Sequence, residues 1–192
     1  MRLFVAVDVD AATREGAGRF RDAVARKLPS AERGLRWVAP DNLHMTLRFI
    51  GEVDEPRPIE DALAPPFDVA PFVLRWGAPV WIPADGRPRV LAVGLDAGGD
   101  ALATLAARVA ARLAAAGIEP EARPFLPHLT LARVREGAAR EIARQRDAIL
   151  AAGGRRVAGE VGVSAVTLYE SRLSPAGPVY AVRLRAALGG ML

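Results

Sequence analysis

Residues 40–49 read PDNLHMTLRF and residues 127–133 read PHLTLAR. In the first segment a Pro-Asp-Asn turn leads into a run whose Met45, Leu47 and Phe49 alternate, as the buried face of a β-strand does. The opposite parity carries His44, Thr46 and Arg48. Alone, that polar parity reads as a solvent-exposed sheet face, where Thr is favoured and His is tolerated. The second segment changes the reading. His44 and His128 are the only two histidines of the chain, and each is followed by Thr at i+2 and Leu at i+3. Residues i and i+2 share a strand face, so each copy sets an imidazole beside a hydroxyl, opposite its Leu residues. Two such strands related by an approximate two-fold would bring both faces to one cleft.

The flanking pattern supports a duplication. Strand patterns cover residues 2–9, 43–50, 68–75, 79–82, 88–95, 128–134, 161–170 and 178–185. Helical patterns cover about 13–28, 56–64 (ended by Pro65-Pro66), 101–117 and 138–151, and residues 28–42 read as a loop. LFVAVDV, helix, LHMTLRFIG, helix, strand lines up with VLAVGLD, helix, PHLTLARVR, helix, strand. PADGRPRVLAVGL also resembles SPAGPVYAVRL, so two alignments compete for residues 88–95 and the lobe owning that strand stays open. The expected fold class is α+β: residues 1–192 as a single domain of two pseudo-symmetric lobes, each with a small sheet, helices on one face and one HxTL motif.

Composition narrows the function classes. A chain of 192 residues that is 51% hydrophobic buries a core and is not a disordered segment. It has no cysteine, which excludes disulfides and thiolate metal sites and agrees with a reducing compartment. The only apolar run before Asp8 is too short for a signal-peptide core, and no stretch has transmembrane length. A cytoplasmic protein without membrane association is expected. Basic residues number 26 against 22 acidic, and Lys27 is the only lysine. An arginine-rich surface suits phosphate recognition, because the guanidinium fork matches phosphate oxygens, yet the same bias arises from composition alone.

Two imidazoles, two hydroxyls and nearby arginine suit in-line displacement at phosphorus. Histidine titrates near neutrality, so one ring can accept a proton from the attacking oxygen while the other donates one to the leaving oxygen. Thr46, Thr130 and an arginine would hold the phosphoryl oxygens. A zinc site would need an acidic third ligand, and neither motif carries one; no nucleophile elbow is present either.

The paired motifs resemble the two-histidine (2H) phosphoesterases. RLFVAVDV, RWVAPDNLHMTLRFIGEV, RPFLPHLTLARV and LYESRLSPAGPVY are more specifically similar to the RNA 2′,3′-cyclic phosphodiesterases, also called 2′-5′ RNA ligases, over about residues 2–185. The resemblance implies two antiparallel sheets facing a central cleft with helices outside, and opening of a 2′,3′-cyclic phosphate at an RNA end or in a small cyclic nucleotide. It implies no metal and no cofactor. By the family's assignment His44 donates a proton to the leaving ribose oxygen, His128 activates water, and Thr46 and Thr130 bind phosphate. Arg133 matches a phosphate-contacting arginine, although simple alternation puts it on the face of Leu129 and Leu131, so it serves only if the strand twists, bulges or ends. Arg48 has the right parity and no assigned role. Phe49, Trp37 and Tyr169 are candidates to stack on a base, with Phe49 on the expected core face. A duplicated chain makes its site within one monomer. Ligation of RNA ends as the main reaction, or a non-catalytic RNA-binding module, are the competing functions.

Overall fold

The computed structural model describes residues 1–175 and 177–189. Strand β1 (Arg2–Asp8) is buried on both faces, as its nearly unbroken apolar run requires of a central strand. Asp10 then caps α1 (Ala11–Lys27), its carboxylate accepting from the Thr13 amide at 2.9 Å, and Arg26 and Lys27 complement the far end of the helix. Next come α2 (Pro29–Arg33), β2 (Leu35–Trp37), a single 3-10 turn at Pro40–Asn42, and β3 (His44–Glu52). The middle of the chain forms α3 (Arg57–Leu63), β4 (Phe72–Ile82), β5 (Val90–Ala97) and α4 (Gly99–Ala115). It ends with β6 (Leu129–Val134), α5 (Ala139–Gly153), β7 (Glu160–Val163), β8 (Ala165–Ser174) and β9 (Gly177–Ala187).

The fold is α+β with two antiparallel sheets, one of order β3-β1-β8-β9 and the other β2-β6-β5-β4-β7. Each sheet holds one HxTL strand. The competition over residues 88–95 is resolved by pairing: β5 lies beside β6, as β1 lies beside β3. Ala6 faces Thr46 and Ala92 faces Thr130, so β1–β3 and β5–β6 are the equivalent pairs.

Three expectations are corrected. The stretch 28–42, read as a loop, holds α2 and β2; Pro29 starts α2 where its missing N–H is not needed, and β2 adds an edge to β6. Residues 68–75 and 79–82 are not two strands. They merge into β4, whose pairing with β5 is irregular between Trp76 and Pro79, where proline cannot donate. The single run expected over 161–170 splits, and β7 and β8 join different sheets, so the chain passes from one sheet to the other at Ser164.

Helices are exchanged between the sheets. Helix α1 leaves β1 of the four-stranded sheet but packs on the five-stranded one, where its Thr13 hydroxyl accepts from Trp76 Nε1 on β4 at 2.9 Å and Phe20 lies 6.3 Å from the Trp37 ring on β2. Helix α4 leaves β5 and packs against β3 and α3. One contiguous set of buried side chains therefore runs through the molecule, including Trp76, Phe20, Met45 and Leu105. Truncating either of the first two to alanine should cost about 3–5 kcal/mol. Among the described residues, no helix is long and apolar enough to cross a membrane.

Helix α1 also approaches backbone directly: a Cβ on Gly16 would stand 1.7 Å from the Val157 carbonyl oxygen. Gly16→Ala should forfeit the usual helical gain of alanine over glycine and destabilise the protein by about 1–3 kcal/mol, read as a lower denaturant midpoint. Gly18, which has open space where its Cβ would be, is the matched control, and Gly18→Ala should be neutral or stabilising.

Candidate active site

Both HxTL strands carry a β-bulge at the same place. On β3, Arg48 pairs with Val5 and Thr46 with Ala6, leaving Leu47 unpaired; on β6, Ala132 pairs with Leu91 and Thr130 with Ala92, leaving Leu131 unpaired. An extra residue reverses side-chain parity beyond it. Leu47 and Arg48 are consequently both buried, as are Leu131 and Ala132, while Phe49 and Arg133 emerge on the histidine side. These two insertions, one in each strand, account for three departures from simple alternation.

Arg133 reaches the cleft, meeting the condition under which the sequence allowed it a role. Phe49, expected on the core face, is 57% exposed and lines the cleft. Arg48, expected on the histidine face, turns inward; it donates to the Glu119 carbonyl and pairs with the Glu121 carboxylate at 3.4 Å. The equivalent position in the other copy is the small Ala132.

The cleft between the sheets is a cavity of about 450 Å³ lined by His44, Thr46, His128, Thr130 and Arg133, with Phe4, Phe49, Asn42 and Tyr180 around them. The two imidazoles are oriented alike. Nδ1 of His44 lies 2.7 Å from the Asn42 carbonyl, and Nδ1 of His128 lies 2.8 Å from the Leu126 carbonyl. A carbonyl only accepts, so each Nδ1 carries the proton and each Nε2 is free for exchange. His44 Nε2 is 3.1 Å from Thr46 Oγ1.

The surroundings of the two rings differ. His44 sits in aromatic company, 4.7 Å from Phe4 and 5.3 Å edge-on from Tyr180. Burial holds its pKa below the ordinary histidine value, against the opposing pull of the Asn42 carbonyl and the Asp8 carboxylate; Arg133 and His128 push it down further. Asp8, opposite His44 in the sheet, accepts from Thr167 at 2.9 Å and from Tyr169 at 2.5 Å. Asn42 also donates to the Pro178 carbonyl at 2.7 Å, tying the turn before β3 to the β8–β9 hairpin.

The remaining stacking candidates are not brought into the cavity lining. Trp37 pairs with Ala132 across β2–β6 and so faces α1 with that residue, beside Phe20. Tyr169 stacks on Phe4 at 5.2 Å and spends its hydroxyl on Asp8; burial, reinforced by that bond, pushes its pKa up. Sequence reasoning missed Asp8, Phe4, Asn42 and Tyr180. Asp8 carried a signal, as the charge closing an apolar central strand; Tyr180 carried none, because its place depends on the hairpin folding over the cleft. Among the described residues, no group of three or more His, Asp or Glu is placed to hold a metal ion.

Comparison with known proteins agrees with this geometry. The LigT-like phosphoesterase family matches residues 7–75 and 93–180. An RNA 2′,3′-cyclic phosphodiesterase of Archaeoglobus fulgidus is 35% identical, covering 94% of this chain and 96% of its own. The crystal structure of TT0787 of Thermus thermophilus superposes with a TM-score of 0.73 at 30% identity, covering 99% of each chain. E. coli LigT in complex with 3′-AMP gives 0.71 at 27% identity and 97% coverage of both.

Two measurements check the site's physics. In an NMR titration His44 should titrate below the ordinary histidine value of about 6.5, and Asp8→Asn should lower it further, because a negative charge that favours the imidazolium is removed. An unchanged or raised value in Asp8→Asn contradicts the electrostatic reading. Arg48→Met should lose about 1–3 kcal/mol of stability in denaturant melts while kcat on the enzyme's substrate holds, since Arg48 points away from the cleft.

Proposed function

The chain belongs to the LigT-like phosphoesterase family, and from that membership we propose that it hydrolyses the 2′,3′-cyclic phosphate at RNA ends to a 2′-phosphomonoester. The observation that carries the proposal is that both HxTL motifs line one cavity, each with an imidazole whose Nδ1 is held by a backbone carbonyl and with a threonine hydroxyl.

In the proposed reaction, water attacks phosphorus in line with the bond to the ribose 3′-oxygen. His128 Nε2 takes the proton from water as the new P–O bond forms. His44 Nε2–H gives its proton to the 3′-oxygen as the P–O3′ bond breaks. Thr46 and Thr130 donate to the non-bridging oxygens and Arg133 offsets their charge. Phe49 and Tyr180 offer faces for the terminal base, a sequence-tolerant mode of holding single-stranded RNA. The free protein holds His44 below its ordinary pKa. As the acid it must therefore gain its proton as the anionic substrate enters, since a bound negative charge favours the imidazolium.

The test separates the two histidines by leaving group, because a pH profile alone is the same for either assignment. His44→Ala and His128→Ala should each lower kcat on adenosine 2′,3′-cyclic phosphate by about 10²–10⁴-fold, with full wild-type rate in excess chelator. On a p-nitrophenyl phosphodiester, whose leaving group needs no proton, His44→Ala should lose little and His128→Ala should still lose heavily. The reverse pattern exchanges the roles, and full activity of both variants overturns the proposal.

A further inference from the structure

Edge strand β2 pairs with β6, and in that register Arg36 stands directly opposite Arg133. Directly opposed residues of an antiparallel pair project from the same face, with Cβ atoms about 5 Å apart. Arg133 lines the cleft, so Arg36 rises beside it at the cleft margin. Both are exposed. Like charges in this position repel, and sheets usually relieve such a pair with an acid. Here none is supplied: among the described residues neither arginine has a carboxylate within ion-pair distance. Other arginines do, as in Arg48–Glu121, Arg57–Asp61, Arg75–Glu160 and Arg183–Glu60. Opposite them on the other sheet stands Tyr180, whose phenol feels both charges. The site's own chemistry uses one phosphate, held by two threonines and Arg133. A second, uncompensated guanidinium one side-chain width away is therefore spare.

We propose that Arg36 is the phosphate-binding residue of a second subsite, which takes the phosphate on the 5′ side of the terminal nucleoside. The inference rests on the hydrolase reading above and refines its substrate: an RNA end whose last nucleoside carries a 5′-phosphate or phosphodiester, in preference to a free nucleoside cyclic phosphate. Repulsion between Arg36 and Arg133 in the free protein would be relieved when both anionic groups are bound, one phosphate per guanidinium.

The experiment compares adenosine 2′,3′-cyclic phosphate with its 5′-phosphorylated form at low salt. In the wild type the 5′-phosphate should raise kcat/KM by about tenfold, the scale of one charge-assisted contact. That advantage should shrink as salt is added. In Arg36→Gln the ratio between the two substrates should fall towards one, and Arg36→Lys should keep part of it. Arg133→Gln should instead lower turnover of both. A wild-type ratio near one, or a ratio that survives in Arg36→Gln, overturns the subsite, as does an equal loss on both substrates, which would put Arg36 at the reacting phosphate. If neither substrate is hydrolysed, the hydrolase reading falls separately. Calorimetric affinities for adenosine 2′-phosphate and adenosine 2′,5′-bisphosphate, in the wild type and in Arg36→Gln, then decide the subsite by the same ratio.

Discussion

Two one-residue bulges, at Leu47 and Leu131, decide what the cleft contains. A strand has a side-chain period of two, so an inserted residue sends every side chain beyond it to the other face. The first half of each motif, His and Thr, lies before the bulge and keeps the parity that alternation predicts. The second half lies beyond it. Arg133 and Phe49 thereby reach the cleft, while Arg48 and Ala132 go to the core. Burying an arginine is costly unless its donors are met, and the chain meets most of that cost with the Glu119 carbonyl and the Glu121 carboxylate from the loop before β6. The two copies share one backbone device but fill it differently. One places an aromatic face at the cleft and the other a cation, as a pocket for a base and a phosphate would need.

The exchange of helices between sheets fixes the relation of the two histidines. Because α1 follows β1 yet packs on the opposite sheet through Trp76 and Trp37, the sheets cannot part without exposing a common apolar core. The Asn42 bond to Pro178 adds a polar tie from the His44 turn to the hairpin that carries Tyr180. The meeting of the two imidazoles in one cavity thus rests on the packed core that both sheets share.

The likeness of the two HxTL strands stops at the environment of the rings. Each Nδ1 is fixed by a carbonyl two residues upstream, so the tautomer is set by local backbone in both copies. Burial among Phe4 and Tyr180 is found only around His44, where desolvation outweighs the Asp8 charge. Two chemically identical side chains thus sit in different surroundings, and burial lowers the pKa of the one beside Phe4 and Tyr180.

Much of this was legible in the chain itself. The sole histidines at equivalent HxTL positions, the duplicated α+β order and the family resemblance all came from residue identity and period, which are local properties. The ownership of residues 88–95, the sheet change at Ser164 and the short β2 edge were not legible, because pairing partners lie far apart along the chain. The same limit applied to the site. His44, Thr46, His128 and Thr130 precede the bulges, so alternation placed them correctly. Phe49, Arg48 and Arg133 follow them, and the bulges are visible only as register between strands. Trp37 and Tyr169 were drawn away by partners in distant segments, Phe20 and Asp8. Residue identity and spacing specified which chemical groups the two halves hold in common. Which of those groups meet was settled by the folded pairing, because facing is a property of paired strands and neither strand alone specifies it.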